Sequence, residues 1–362
     1  MSEAERTVRI GMVGCGYMGQ KAHLDNLMTI PGCRVVALAE GRSETAKLVA
    51  RKYGIEQVYP DHRAMLADAD VDAVVCVMHY ALHHAVVPDI LNAKKHLLTE
   101  KPIAVRPETG HRLADLAEAN AVICQVGYMK RHVPASRAAA EVIEAWRASG
   151  CAGKMNYLRA SMPPGNWTFG IEGPVSAGDA PPAYEHQAPE SPPDWMDEST
   201  GHAYDAFVNY FIHQVNMIRY LLGGSFQCDY LDPTETVLAG RSDGGVPWVL
   251  EMTGYNLRDH WEEYYKVCFE NGKLDLSVPA PMARQYPGDL KIYHGPASES
   301  DRPRWERPTL APTWCMMAQA RHFVACVREG RPTLAPAREA ALDLEVAEQY
   351  ARLRTSHFPT VS

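Results

Sequence analysis

A glycine-rich turn set directly after a short, largely apolar run constrains this chain more than any other feature. Val8 to Val13 is followed at once by Gly14-Cys15-Gly16-Tyr17-Met18-Gly19, and Lys21 to Ile30 then carries apolar residues at helical spacing. A buried strand, a tight turn and a helix in that order form the first unit of an open parallel sheet. Each glycine has a task in such a turn: Gly14 reverses the chain tightly, Gly16 opens backbone N–H groups to phosphate oxygens, and Gly19 lets the helix sit close to the strand. The N–H groups and partial positive charge at the helix start suit a dinucleotide pyrophosphate, with Cys15, Tyr17 and Met18 supplying the rest of the turn.

The next apolar run, Val35 to Ala39, ends in Glu40, at about the 20-residue offset where an acidic side chain accepts hydrogen bonds from an adenosine ribose. This favours NAD. Arg42, two residues on, can pair with a 2′-phosphate and leaves NADP open, and Glu40 can also be read as a solvated loop charge. A second element agrees with the first: His96 to Thr99 reads as a later strand, and Glu100-Lys101-Pro102 follows it. That order sets one ammonium at the C-terminal edge of the sheet, where the nicotinamide end of a bound dinucleotide lies, and a partly desolvated lysine there can donate to a hydroxyl or carbonyl oxygen.

The chain's 362 residues exceed one typical core and fit two domains. We place an NAD(P)-binding Rossmann domain at 1–128 and a substrate-binding and oligomerisation domain at 129–362. Strands are expected at 7–13, 34–39, 72–77, 96–99 and 122–127, with helices near 18–30, 43–53, 83–93 and 107–119. This rhythm predicts a doubly wound parallel sheet. Beyond Tyr128 it changes to a helix at 134–148, strands at 154–161, 234–240, 248–254 and 264–270, a helix at about 205–222, and closing helices at 314–329 and 337–354. The order predicts an α+β domain with an open, mostly antiparallel sheet, so the whole is an α/β protein. Between these stretches, 162–200 holds eight of the chain's 26 prolines together with Trp167 and Trp195, and reads as a functional or contact-forming loop insertion.

A net charge of −8 without a basic cluster argues against nucleic acid. Without a long apolar span or a leader-like start, no membrane association and a cytoplasmic location are the expectations. Nine scattered cysteines with no CxxC pair read as reduced thiols.

Two groups of polar residues invite chemistry. On one helix Asn209, His213 and Asn216 fall at i, i+4 and i+7 and share a face among apolar neighbours. Alone, His213 reads as a satisfied core histidine; beside a hydride donor it reads as the proton acceptor, because imidazole titrates in the useful range. His79 and His83 share an i, i+4 relation, but a third metal ligand is not in sight, so Met78, His79 and His83 are assigned to a helix start near the cofactor and no metal is expected.

Taken together, these segments resemble the glucose–fructose oxidoreductase and inositol dehydrogenase family, the Gfo/Idh/MocA group. The resemblance runs from Val8 to about Leu353 through the glycine turn, Glu40, Leu82-His83, Glu100-Lys101-Pro102, Val126-Gly127-Tyr128 with Lys130-Arg131, and the His213 helix ending in Leu221-Leu222-Gly223. It implies NAD(P)-dependent oxidation or reduction of a sugar, cyclitol or related hydroxyl compound by a homo-oligomer, a dimer or tetramer. Lys101 matches the family's catalytic lysine and His213 its histidine. Where the family commonly has an aspartate four residues before that histidine, this chain has Asn209, and Asn216 stands at a second acidic position. Asparagine can hold a hydroxyl or orient an imidazole but takes up no proton. Met78-His79-Tyr80 likewise replaces a common threonine-proline-asparagine.

The leading expectation is an NAD(H)-dependent dehydrogenase in which His213 accepts the hydroxyl proton, Lys101 polarises the oxygen, Asn209 positions it, and Tyr128 and Trp167 lie against the sugar. Two alternatives stand beside it. One is transient redox on tightly held NAD during glycoside cleavage or epimerisation; the other is a non-catalytic dinucleotide sensor.

Overall fold

The computed structural model describes residues 6–168, 170–180, 188–254, 259–296 and 302–357. Residues 169 and 181–187 of the proline-rich loop, and 255–258 among others, lie outside the described residues. The chain divides into two compact units, and the division is not a single cut: the first unit comprises 1–127, 172–192 and 316–344, the second 128–171, 193–315 and 345–362.

In the first unit six parallel strands lie in the order β3-β2-β1-β4-β5-β6. These are β1 (Val8–Val13), β2 (Cys33–Ala39), β3 (Gln57–Tyr59), β4 (Ala73–Cys76), β5 (His96–Thr99) and β6 (Cys124–Val126). The connecting helices are α1 (Asp25–Leu27), α2 (Ser43–Tyr53), α3 (His62–Asp68), α4 (His83–Asn92) and α5 (Pro107–Ala119). All five expected strands are present. The additions are β3, a short edge strand, and α3, which Asp61 caps by accepting the Ala64 N–H at 2.8 Å. The expected helix at 18–30 begins as a wide π-type turn, Gly19–Leu24, before narrowing into α1.

Strands buried on both faces need apolar cover, and this sheet draws part of it from far along the chain. From α9 (Cys315–Glu329), Ala320, Phe323 and Val324 join Leu24, Leu27, Ile30, Ile10 and Leu38 in one buried cluster.

The second unit is built on an eight-stranded sheet, β14-β13-β12-β11-β7-β10-β9-β8. Its strands are β7 (Met155–Ser161), β8 (Phe226–Leu231), β9 (Val237–Ser242), β10 (Pro247–Glu251), β11 (Tyr264–Phe269), β12 (Gly272–Ser277), β13 (Asp289–His294) and β14 (Arg304–Glu306). Among the described residues every pair of neighbouring strands in this sheet is antiparallel except β7 with β10, so the expected mostly antiparallel sheet is what the chain forms. Alternate residues face inward, as Tyr265, Val267 and Phe269 do on β11, and are buried. On the covered side lie α6 (Pro134–Ser149) and α8 (Ile212–Leu222). The expected single helix at 205–222 is two helices, α7 (Glu198–Tyr210) and α8, meeting at Phe211. The last helix, α10 (Ala337–His357), closes the described chain.

Candidate active site

Parallel strands present their C-terminal ends along one edge, so the residues following β1, β2, β4 and β5 share that edge. After β1 the backbone turns at Gly14 with φ +82°, and a Cβ there would lie 2.3 Å from the Val77 carbonyl oxygen, so only glycine fits. At Gly16 the same construction meets no heavy atom within 4 Å, which leaves an open backbone surface at the turn. Gly19 presses close to the Gly14 carbonyl, 2.7 Å from where its Cβ would be. Cys15 is buried, while Tyr17 and Met18 are half-buried. The open surface at Gly16, at the start of a π-type first turn, fits a dinucleotide phosphate.

Glu40 follows β2 and is held from two sides. Its Oε2 accepts the Cys15 N–H at 2.9 Å, and its two oxygens accept Arg42 Nε at 2.9 Å and Nη2 at 2.8 Å. Burial alone would raise the Glu40 carboxyl, but the hydrogen bonds from Arg42 and the Cys15 backbone outweigh it and bring it down to about 2. It therefore stands ionised at the end of β2, and Arg42 is engaged with it in a two-point pair.

After β5, the turn that carries Lys101 is braced by two histidines. His23, buried on the π-type turn, meets Glu100 Oε1 at 2.7 Å. Burial raises the Glu100 carboxyl, the His23 hydrogen bond and the charges of His23 and Lys101 lower it, and the lowering prevails. Gly127 lies against the same carboxylate: its Cβ would stand 3.2 Å from Glu100 Oε2, and its N–H bonds the Thr99 carbonyl at 2.8 Å. Lys101 itself is half-buried, and the Lys101-Pro102 peptide is cis.

His83, read from the sequence as part of a helix start near the cofactor, is the first residue of α4. It is fully buried, with Nδ1 at 3.1 Å from the Ile103 carbonyl and Nε2 at 3.2 Å from Thr99 Oγ1. Both nitrogens are thus engaged in fastening α4 to the Lys101 turn. His79 caps a short 3-10 turn, its Nδ1 accepting the Ala81 N–H at 3.3 Å, and stacks on Tyr80 with centroids 4.6 Å apart. Met78 lies on the same edge after β4 and is half-buried. Among the described residues no group of three or more metal-ligating side chains forms.

Burial drives the His83 pKa down to about 4, against the upward pull of the Ile103 carbonyl and Glu100. Above about pH 6.5 the site is neutral in both folded and unfolded chains and its contribution is intact; as pH falls from there towards about 4, the unfolded chain binds a proton that folded His83 does not, and up to roughly 3 kcal/mol of stability is lost. Denaturant melts across this range should show a steeper decline for the wild type than for His83→Gln, and equal slopes would remove His83 as the cause.

In the second unit, His213 is the second residue of α8 and half-buried. Tyr128, expected against a sugar face, is instead buried at 1% exposure and sets its ring edge-on to His213, with centroids 6.1 Å apart at 85°. Asn209, in the last turn of α7, is exposed. Asn216 is buried and belongs to the scaffold: its Oδ1 accepts Arg131 Nε at 2.6 Å, and its carbonyl accepts Arg131 Nη2 at 3.2 Å. The i, i+4, i+7 stripe therefore grades from solvent to core. Trp167 is 39% exposed, and its carbonyl accepts the Met282 N–H at 3.2 Å.

Sequence reasoning missed what positions α8. Lys130 Nζ meets Glu263 Oε2 at 2.6 Å, and Glu263 Oε1 accepts Gln214 Nε2 at 2.8 Å and Tyr265 Oη at 2.5 Å. Arg131 clasps Asn216 on the following turn. Two buried cations from the Met129–His132 turn thus fasten the helix that carries His213.

Comparison with known proteins agrees with this geometry. Residues 8–128 match the Gfo/Idh/MocA family model, described as an oxidoreductase family with an NAD-binding Rossmann fold. The chain is 36% identical to an inositol 2-dehydrogenase/D-chiro-inositol 3-dehydrogenase of Lacticaseibacillus casei, over 42% of this chain and 44% of that protein. With the NAD(+)-dependent scyllo-inositol 2-dehydrogenase of Bacillus subtilis it shares 25% identity over 94% of this chain and 92% of the relative. An oxidoreductase domain protein from Kribbella flavida has the same fold, with a TM-score of 0.74 at 18% identity, covering 97% of this chain and 98% of that one. The family model covers the six-stranded sheet's strands, and similarity to the Bacillus subtilis relative continues through the second sheet, so residues 8–128 carry the Gfo/Idh/MocA match and the rest of the chain is similar in sequence to a cyclitol dehydrogenase.

Proposed function

We propose that this protein is an NAD-dependent dehydrogenase or reductase acting on a secondary hydroxyl, or the matching ketone, of a cyclitol or sugar. The observation that carries the reading is the common edge of the six-stranded sheet, where a glycine turn open at Gly16, an ionised Glu40 and the braced Lys101 follow β1, β2 and β5. The names of the two inositol dehydrogenase relatives support the substrate class.

The residues suited to the dinucleotide are Gly14 to Gly19 for the pyrophosphate and Glu40 for the ribose hydroxyls. When bound, NAD+ supplies the carbon that accepts hydride. Lys101 donates a hydrogen bond to the reacting oxygen and stabilises the negative charge that grows on it as the proton leaves. His213 takes that proton at an imidazole nitrogen, with its ring held by the edge of Tyr128. Asn209 orients a neighbouring hydroxyl through its amide and takes no proton. Trp167 offers an exposed apolar ring to the substrate. The reading includes a homo-oligomer, as the family resemblance implies, and a cytoplasmic location.

The test is a panel of cyclitols, sugars and glycosides followed by nicotinamide absorbance, with NAD+ and NADP+ supplied separately. NAD+ reduction by at least one cyclitol or sugar is expected. A purified protein that takes up neither nucleotide in direct binding measurements would refute the assignment, whereas firmly held NAD with product formed and no net NADH would move it to transient redox.

A further inference from the structure

The described part of the proline-rich loop that belongs to the first unit lies on the nucleotide edge. The amide of Gln20, the residue after the glycine turn, brackets Val175: Nε2 donates to its carbonyl at 2.9 Å and Oε1 accepts its N–H at 3.0 Å. Two residues on, the Ala177 N–H donates to Thr45 Oγ1 at 3.0 Å. Asp179 then reaches the start of α2, where its carboxylate accepts the Glu44 N–H at 2.9 Å, the Thr45 N–H at 3.3 Å and the Thr45 hydroxyl. Gln20 and Thr45 are both fully buried, so the segment is fixed at both anchors. The hydrogen bond from Thr45 Oγ1, with help from the backbone N–H groups, holds the Asp179 carboxyl below the usual range.

The start of α2 follows Glu40 and Arg42, the position that distinguishes NAD from NADP in a sheet of this kind. A 2′-phosphate there needs the first N–H groups of the helix and a free guanidinium. In this chain the N–H groups of Glu44 and Thr45 already donate to Asp179, and Arg42 is paired with Glu40. We propose that Asp179 sets the choice of nucleotide: its carboxylate fills the anion position at the start of α2 that a 2′-phosphate would take, and so excludes NADP while admitting NAD. A dianionic phosphate would have to displace one carboxylate while facing a second. NAD, whose 2′-hydroxyl brings no charge, meets neither penalty. This inference rests on the nucleotide reading given above and adds a residue from outside the matched 8–128 segment to it.

Calorimetric titration of the full-length protein with NAD+ and with NADP+ tests it, on the wild type, Asp179→Ala and Asp179→Asn, with circular dichroism to verify folding. Asp179→Asn keeps an acceptor and removes the charge. The wild type should favour NAD+ by roughly 100-fold or more, and both variants should shift the affinity ratio towards NADP+, Asp179→Ala by about tenfold or more. Should the wild type bind NAD+ while both folded variants keep its ratio within about twofold, selection belongs to Glu40 alone and the inference is overturned. Uptake of neither nucleotide by the wild type would instead overturn the nucleotide reading, and this proposal with it.

Discussion

Replacing Lys101 with methionine should lower kcat on a confirmed substrate by roughly 100- to 10,000-fold, the usual range for a group that moves or polarises a proton in the transition state. Methionine keeps a flexible apolar stem and removes only the ammonium. The turn should survive the change, because Glu100 with His23, and His83 with Thr99 and Ile103, hold it independently of the Lys101 head group. The glycine turn and Glu40 are untouched, so NAD+ affinity should stay close to that of the wild type. The loss should fall on kcat, since a contact that strengthens as charge grows on the oxygen contributes mainly to the transition state. A variant that retains activity within about threefold would show that proton transfer proceeds without residue 101.

The second large effect is on stability. Glu263→Leu should destabilise the protein by about 3–5 kcal/mol, the cost of leaving a buried ammonium without its carboxylate. Lys130 and Glu263 have side-chain exposures of only 4% and 0%, so water cannot take the place of the missing partner. Burial already pulls the Lys130 pKa down, while Glu263 pulls it up. Without the carboxylate the largest upward pull is gone, burial dominates, and the folded-state value drops further. A lysine depressed in this way favours folding above its unfolded value of about 10 and opposes it as pH falls through its folded value. The variant should therefore regain stability as pH rises towards about 10, a trend that a packing defect alone would not produce. Adding Lys130→Met should restore part of the loss, because it removes the unpaired ammonium, while the Gln214 amide and the Tyr265 hydroxyl still lack the oxygen they donated to. Denaturant melts of both variants at several pH values provide the test, and a double variant as unstable as Glu263→Leu would refute the explanation.

The parallel sheet was legible because its strands are buried on both faces and read as short apolar runs, from Val8–Val13 to Cys124–Val126. Gln57–Tyr59 escaped because a three-residue edge strand, largely exposed, has no such run. In the second unit β12 and β13 alternate charged with apolar residues, as Lys273, Leu274, Asp275 and Leu276 do, a pattern that short loops share. The break at Phe211 was hidden because its dihedrals stay near helical values, φ −84° and ψ −8°. Lys101 and His213 stood out through neighbouring motifs. Lys130, Arg131 and Asp179 did not show their roles: a charged residue is by default at the surface, and a loop carboxylate that caps a helix more than 130 residues away in sequence leaves no periodic trace. Asn216 misled for the related reason that helical spacing records which residues share a face and not how deep each one lies.

The nucleotide-binding unit is assembled from three separated stretches, and Ala320, Phe323 and Val324 close a cluster whose other members are Leu24, Leu27, Ile30 and their neighbours. During synthesis the first sheet is therefore complete in its strands well before the last part of its apolar cover exists. That stripe stays open to water until α9 has left the ribosome, so the final packing of this unit is timed by a helix made long after its strands.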